Sequence, residues 1–367
     1  MASREIDFGF VASPAGEPGL SDAALYQEIL ADCAHGQALG YSTAWMIEHH
    51  FSDYFPTPDP LAFLSHLAAR FPKLGLGTCV LVTPWYQPLR LAETIAQLNM
   101  LTDQPLHLGL GRGTAKLEYD AFGIEMDESR QRFEDVWRIV ERALKGGKFT
   151  YKGPMLEVPK EIELRPRGDT KKIHFYGAIG ASPESAHVMA DLGLPPMQTS
   201  IGNLEKQIET ITAWKARAKE RGLDASAFRY PIMINCIVAD TDDEAVRQAQ
   251  TFIPRFQQAQ VDHYEGDKDH YTYLKTYKAW QNVFKSMKER ANPANIPPWC
   301  EWQLVGSPST VMRKTRAFVD AGFNTFLLHV ATPGVPRERR HNWMSRFARE
   351  VAPEFSSAFA ARAAKVA

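Results

Sequence analysis

Leu74-Gly75-Leu76-Gly77-Thr78-Cys79-Val80-Leu81-Val82 is a near-continuous apolar run in which Leu76, Val80 and Val82 belong to one strand-like segment. A strand that reads this way is covered on both faces, as parallel strands are when helices lie over the sheet. Outward from it, seven further β-rich runs follow: Ile6–Ala12, Thr43–Glu48, Leu106–Leu110, Ile173–Ala178, Pro196–Thr199, Tyr230–Ala239 and Asn324–Val330. Between them lie stretches with helical spacing. In Phe133, Val136, Trp137, Val140 and Leu144 the apolar positions recur at three- and four-residue steps, so one face is buried. Alternating strands and helices leave an open doubly wound sheet or a closed barrel. Eight strands over this length favour an α/β fold, the (β/α)8 TIM barrel, whose chemistry sits at the C-terminal ends of the strands.

The 367 residues are expected to form a single barrel domain with insertions. Residues 145–172 are rich in Gly, Pro and Lys and are expected to wrap one end of the barrel. Residues 257–303 carry Tyr, His, Lys and Trp and then the Pro-rich Asn292–Pro298, just before the last helix–strand unit. They read as a candidate active-site lid or as a solvated surface excursion. The Ala-rich end after Ser357 reads as a frayed helix or tail. A formal net charge of −1 argues against nucleic acid or an anionic membrane surface as the main partner. No apolar stretch is long enough to cross a bilayer, and the chain enters its first strand without a signal-peptide core. Cys33, Cys79, Cys236 and Cys300 lie far apart with no CxxC pair, as expected of reduced thiols in a cytoplasmic protein.

Four constellations carry chemistry. Glu48-His49-His50 follows directly on a strand, where neighbouring residues point to opposite faces. Only one of the two histidines then faces the barrel mouth, so a metal site is not expected, and a pocket histidine acting as base or hydrogen-bond donor competes with a structural strand cap. Leu108-Gly109-Leu110-Gly111-Arg112-Gly113-Thr114 has GxGxG spacing and not the GxGxxG of a dinucleotide site. Its glycines leave room for a flat ligand, with Arg112 supplying charge or serving as half of an ion pair. Arg130 opens the Phe133–Leu144 helix, where a cation is unfavourable unless an anion sits there or Glu134 pairs with it. Ser182-Pro183-Glu184-Ser185 reads as the capped start of a helix whose free N–H groups suit a phosphate, or as an ordinary cap.

Taken in order, Trp45-Met46-Ile47-Glu48-His49-His50-Phe51, Leu76-Gly77-Thr78-Cys79-Val80-Leu81-Val82-Thr83-Pro84, Gln87-Pro88-Leu89-Arg90-Leu91-Ala92-Glu93 and Gly111-Arg112-Gly113 form a connected series. Phe122-Gly123, Asp127-Glu128-Ser129-Arg130, Ser182-Pro183-Glu184-Ser185-Ala186 and Gly193-Leu194-Pro195 continue it. The series resembles the luciferase-like, flavin-dependent monooxygenases, the family of the bacterial luciferase α-type subunits. The resemblance covers the first two-thirds well and Gly306–Val351 more loosely.

It implies a barrel with FMN at its C-terminal mouth. Arg112, Arg130, Ser182 and Ser185 would hold the phosphate, and Thr78, Cys79 and Val80 would lie against the isoalloxazine ring. A non-proline cis peptide would fall at Cys79–Val80. His49 would serve a flavin C4a-(hydro)peroxide formed from reduced FMN and O₂, which passes one oxygen to a small organic substrate. A separate flavin reductase and a homodimer are further implied. Gly111 stands where luciferase has a reactive cysteine, which argues against bioluminescence. Three alternatives share the barrel: a deazaflavin-dependent oxidoreductase, a non-catalytic flavin-binding protein and, more distantly, a metal-dependent hydrolase.

Overall fold

The computed structural model describes residues 5–180 and 183–364. Among these residues eleven strands are present: β1 Asp7–Val11, β2 Thr43–Met46, β3 Gly75–Val82, β4 Leu106–Gly111, β5 Phe149–Lys152, β6 Glu157–Ile162, β7 Ile173–Ile179, β8 Pro196–Thr199, β9 Pro231–Val238, β10 Leu304–Gly306 and β11 Thr325–His329. Parallel pairing runs β9-β11-β1-β2-β3-β4-β7-β8, and Gln198↔Ile232 with Thr199↔Met233 joins β8 back to β9. Eight strands therefore close a parallel barrel with helices around it, as the alternation of runs implies. Among the described residues, no helix is long and apolar enough to cross a membrane.

The period of two along each strand divides two cores. On β4, Leu106, Leu108 and Leu110 point outward and are buried beneath the helical layer, with Ala44, Met46 and Leu76 of the neighbouring strands. Burying a leucine in this way contributes roughly 1.5–3 kcal/mol. The intervening His107, Gly109 and Gly111 point inward. Trp45, Tyr176, Met197 and Leu327 form the inner core, and His107 Nδ1 lies 3.0 Å from the Tyr176 hydroxyl. A ring as large as Trp45 fits only because its neighbours are small: a Cβ on Gly77 would come within 2.5 Å of it.

Gly109 is equally constrained. A Cβ there would lie 2.5 Å from the Thr78 carbonyl oxygen and 2.6 Å from Met197 Sδ. Gly109→Ala is therefore expected to destabilise the protein by about 1–3 kcal/mol, the range for overpacking a close-packed core. Urea unfolding measures it, and an unchanged midpoint would show that the backbone yields. The glycine run thus makes room first for the barrel's own side chains. At Gly111 the close neighbour is Val80 Cγ2, 2.5 Å from a built Cβ.

The outer helices follow their apolar spacing. In the helix Ser129–Lys145, Phe133, Val136, Trp137 and Val140 are buried and Leu144 packs against the same core. Residues 145–172 form the β5–β6 hairpin, fastened to that helix by the buried Asp135. Its carboxylate accepts the backbone N–H groups of Met155 and Leu156 at 2.7 and 2.8 Å and the Tyr151 hydroxyl at 2.6 Å. The Ala-rich end is a helix, Ser357–Ala363, in which Phe359 is buried against Phe8 and Tyr41. Residues 257–303 are mostly helical. They take the end of the helix Asp242–His263, then His270–Tyr273, Lys278–Arg290 and Ile296–Cys300.

Candidate active site

The C-terminal strand ends open into a cavity of about 560 Å³. Its lining runs around the barrel: Ile47–His49 after β2, Cys79 and Val80 of β3, Gly111–Thr114 at the end of β4, Gly180 after β7, Thr199 and Ser200 at β8, Met233 and Asn235 of β9, and His329 of β11. The far wall comes from residues 257–303, including Gln257, Tyr264, Tyr277, Trp280, Arg290 and Trp299. Two tyrosines tie that stretch to the barrel rim. The Tyr271 hydroxyl reaches the Thr114 carbonyl at 2.5 Å, and the Tyr277 hydroxyl reaches the Gly113 carbonyl at 3.0 Å.

His49 is held from two sides. The chain turns after β2, and His49 exchanges backbone hydrogen bonds with Thr57, its N–H to the Thr57 carbonyl at 3.3 Å and the reverse at 3.2 Å. Its Nδ1 lies 3.3 Å from Glu118 Oε1, and its Nε2 lies 3.3 Å from the Tyr264 hydroxyl. Glu118 stands in the first turn of the helix Lys116–Phe122 and also accepts the His50 backbone N–H at 2.7 Å. His263 Nε2 is within ion-pair reach of the same oxygen at 3.4 Å, while Ser52 Oγ is 2.6 Å from His263 Nδ1. Burial raises the Glu118 carboxyl, but the hydrogen bonds and charges of His263 and His49 outweigh it and take it down to about 2. Burial, with the neighbouring His263, pushes His49 down to about 4 despite Glu118.

These values assign the protons. An ionised carboxylate only accepts, so His49 carries its proton on Nδ1 towards Glu118, and Nε2 accepts a hydrogen bond from the Tyr264 hydroxyl. His50 points the other way. Its Nε2 meets Glu48 Oε1 at 3.2 Å, while Glu48 Oε2 accepts the Val82 backbone N–H at 2.9 Å and the Tyr86 hydroxyl at 3.0 Å. Glu48 thus fastens β2 to the end of β3, and one histidine of the pair faces the mouth.

His49, Glu118 and His263 also place one ligand atom each within 4.8 Å of one another. Of the two imidazoles, His49 meets Glu118 Oε1 through Nδ1 at 3.3 Å, and His263 Nε2 lies 3.4 Å from the same oxygen.

Three of the four expected phosphate ligands line one side of the cavity: Arg112, Arg130 and Ser185. Arg112 Nη1 donates to Thr276 Oγ1 at 3.2 Å, and its guanidinium lies over the Tyr277 ring at 4.9 Å. Arg130 donates to Glu184 Oε1 at 2.9 Å and not to Glu134. The helix Pro183–Asp191 begins beside them. Ser182 lies outside the described residues. Around the expected ring position Cys79 and Val80 line the cavity and are joined by a cis peptide. Thr78 is fully buried behind them, its hydroxyl donating to the Gly109 carbonyl at 3.0 Å.

Glu118, His263, Tyr264, Arg290 and His329 complete the site and were not singled out by sequence reasoning. The readable signal for Glu118 is that it is the first carboxylate after the glycine-rich strand end. For His263-Tyr264 it is the adjacent pair closing a helix within the lid candidate.

Buried histidines are expected to make this fold acid-sensitive. Burial holds His329 down at about 4. It holds His107 at about 3, with the His174 and Arg229 charges adding to the effect. An unfolded chain protonates each near 6.5, so their contribution is complete above that pH and is lost as pH falls towards the folded values. Each costs about 2 kcal/mol by pH 5. The stability difference between pH 7 and 5 is expected to shrink by about that amount in His329→Gln. Urea unfolding at the two pH values tests this, and an unchanged difference would refute it.

The profile described as luciferase-like monooxygenase matches residues 6–325. The chain belongs to that family. It is 34% identical over 139 residues to an uncharacterised protein of Sinorhizobium fredii, covering 38% of this chain and only 40% of that relative. Along most of its length it is 21% identical to the oxygenase component of the flavin-dependent trigonelline monooxygenase of Acinetobacter baylyi, covering 90% of each chain. Among solved structures it is similar to a monooxygenase, RslO1, from Streptomyces bottropensis, with TM-score 0.78, 24% identity and coverage of 96% of this chain and 100% of that one. It is also similar to an F420-dependent secondary alcohol dehydrogenase, with TM-score 0.72, 17% identity and coverage of 97% and 99%. At these identities the structural likeness speaks for the fold alone.

Proposed function

We propose that the protein is a monooxygenase that takes reduced FMN from a separate flavin reductase and uses O₂ to oxygenate a small organic substrate. The observation that carries this reading is the convergence on one cavity of two guanidinium groups, Arg112 and Arg130, with the buried His49–Glu118 pair. The residues fit FMN. Two guanidinium groups, the Ser185 side chain and a helix start stand together at one side, as a phosphate monoester requires. Glu184, largely exposed, must release Arg130 when a phosphate binds. Cys79 and Val80 offer an apolar edge for the ring.

Bound reduced FMN would supply the two electrons that activate O₂. The chain's own residues do the rest. His49, neutral at physiological pH, presents Nε2 as a proton acceptor beside Tyr264, and Glu118 stabilises the imidazolium formed when Nε2 takes a proton. The stretch 257–303 acts as a lid, with Tyr271 and Tyr277 fastening it and Trp280 and Trp299 keeping water from the chamber. The name of the Acinetobacter relative, an oxygenase component, supports a separate reductase partner. Thr276 and Tyr277 cover Arg112, which favours a cofactor ending at its phosphate over one with a long tail. A homodimer is part of the same reading.

The test is isotopic. With FMN kept reduced by an added flavin reductase, the protein is given ¹⁸O₂ and a panel of small organic acids and their neutral analogues. Mass-spectrometric appearance of one ¹⁸O in a product is the expected outcome. Oxidation or reduction of a panel member with F420, without O₂ and without label, would replace this reading with the deazaflavin one.

A further inference from the structure

Four cationic side chains line the cavity: Arg112, Arg130, Lys206 and Arg290. The first two belong to the phosphate rim. Lys206 is exposed. Arg290 remains without a role. It closes the lid helix Lys278–Arg290, and its Nε donates to the neutral Gln257 Oε1 at 2.9 Å. Among the described residues it makes no ion pair within 4.0 Å. Burial lowers it to about 10, with Glu289, the exposed residue before it, as the opposing charge.

Neither carboxylate of the cavity, Glu48 or Glu118, pairs with it within 4.0 Å. Glu48 is held by Val82, Tyr86 and His50, and Glu118 by His50 and His49. Arg290 is nevertheless connected to the reactive end. Gln257 Nε2 donates to Gln260 Oε1 at 3.2 Å. Gln260 stands beside Tyr54, whose ring lies 4.8 Å from that of His49. The surrounding wall is apolar, with Met287, Trp280, Trp299 and Phe256. Arg290 is half-buried, and a guanidinium partly withdrawn from water without an anion is costly, while its planar fork matches a carboxylate.

We propose that the substrate is a small, flat organic acid whose carboxylate pairs with Arg290 while its apolar body lies among the lid tryptophans, facing His49. This inference rests on the monooxygenase reading above and names the substrate class of the same site.

Benzoate and its uncharged isostere benzamide are suitable probes. Each is titrated into the FMN-loaded protein and followed by the change in flavin absorbance and by calorimetry, in the native protein, in Arg290→Met and in Arg290→Lys. Benzoate is expected to bind more tightly than benzamide. Arg290→Met should weaken benzoate roughly 30-fold or more, leaving benzamide and FMN affinities unchanged, with partial recovery in Arg290→Lys. Equal binding of the two probes, no saturable benzoate binding in the millimolar range, or an undiminished benzoate affinity in Arg290→Met would each overturn the proposal. FMN is titrated into the same three proteins first. Failure of FMN to bind would bring down both readings, whereas FMN binding without benzoate discrimination brings down this one alone. Tight F420 binding that is lost in Arg290→Met would instead assign the arginine to a cofactor tail.

Discussion

Replacing Arg112 and Arg130 together by Ala is expected to raise the Kd for FMN by about 100-fold to 10,000-fold while leaving riboflavin affinity within a few-fold. Each charge-assisted hydrogen bond to a phosphate oxygen contributes about 1.5–3 kcal/mol, and two such anchors give the product of their factors. Riboflavin lacks the phosphate, so it reports only on the ring site at Cys79 and Val80. The two arginines differ in what else they hold. Arg112 contacts residues 257–303 through Thr276 and Tyr277, whereas Arg130 donates to the exposed Glu184. The single Arg130→Ala variant is therefore the cleaner probe of the phosphate, and Arg112→Ala adds a loosened lid. Fluorescence titration of both ligands decides the matter. Equal losses for FMN and riboflavin would mean that the arginines shape the mouth and do not read the phosphate.

The second large effect is at His49. His49→Ala removes the Nε2 acceptor and leaves the ionised Glu118 with fewer donors. Turnover in the ¹⁸O assay is expected to fall by about 100-fold to 10,000-fold, the usual worth of a positioned acid–base group. FMN affinity should stay within a few-fold. The pH profile gives a sign as well as a size. In the proposed role His49 acts as a neutral base, so activity is expected above its pKa and is expected to be lost as pH falls through about 4. Glu118 favours the imidazolium, so Glu118→Gln should move that acidic limb to lower pH and reduce the rate together. A pH profile unmoved in Glu118→Gln would make the carboxylate a packing residue only.

Strand positions were legible in the sequence because burial on both faces leaves apolar runs that nothing else in this chain imitates. Pro196–Thr199 has the same bounds in both readings, and the other seven barrel strands differ by a residue or two. β10 was missed because three residues, Leu304–Gly306, make too short a run to show a period. The hairpin was missed because β5 and β6 are largely exposed and carry Lys and Glu, so they pack on Asp135 by hydrogen bonds and not by an apolar face. The Ala-rich end packs because Phe359, its one aromatic, meets Phe8 and Tyr41, which lie at the other end of the chain.

The site divides along the same line. Arg112, Arg130, Cys79, Val80 and His49 sit at strand or helix ends, where a local motif marks them. Thr78 shares that motif, yet the alternation of the strand turns its hydroxyl into the barrel wall. Glu118 and Tyr264 reach His49 across 69 and 215 residues of sequence. Only barrel closure and the return of residues 257–303 over its mouth bring them together. Arg290 is further removed still, since its significance comes from the carboxylates that fail to reach it.

The most direct measurement is a crystal structure of the protein soaked with FMN. The expected result is a phosphate within hydrogen-bonding distance of both Arg112 and Arg130, with the isoalloxazine ring against Cys79–Val80 and His49 Nε2 facing it. A flavin phosphate lying elsewhere in the cavity, or a soak in which F420 binds and FMN does not, would contradict the assignment of this barrel mouth to FMN.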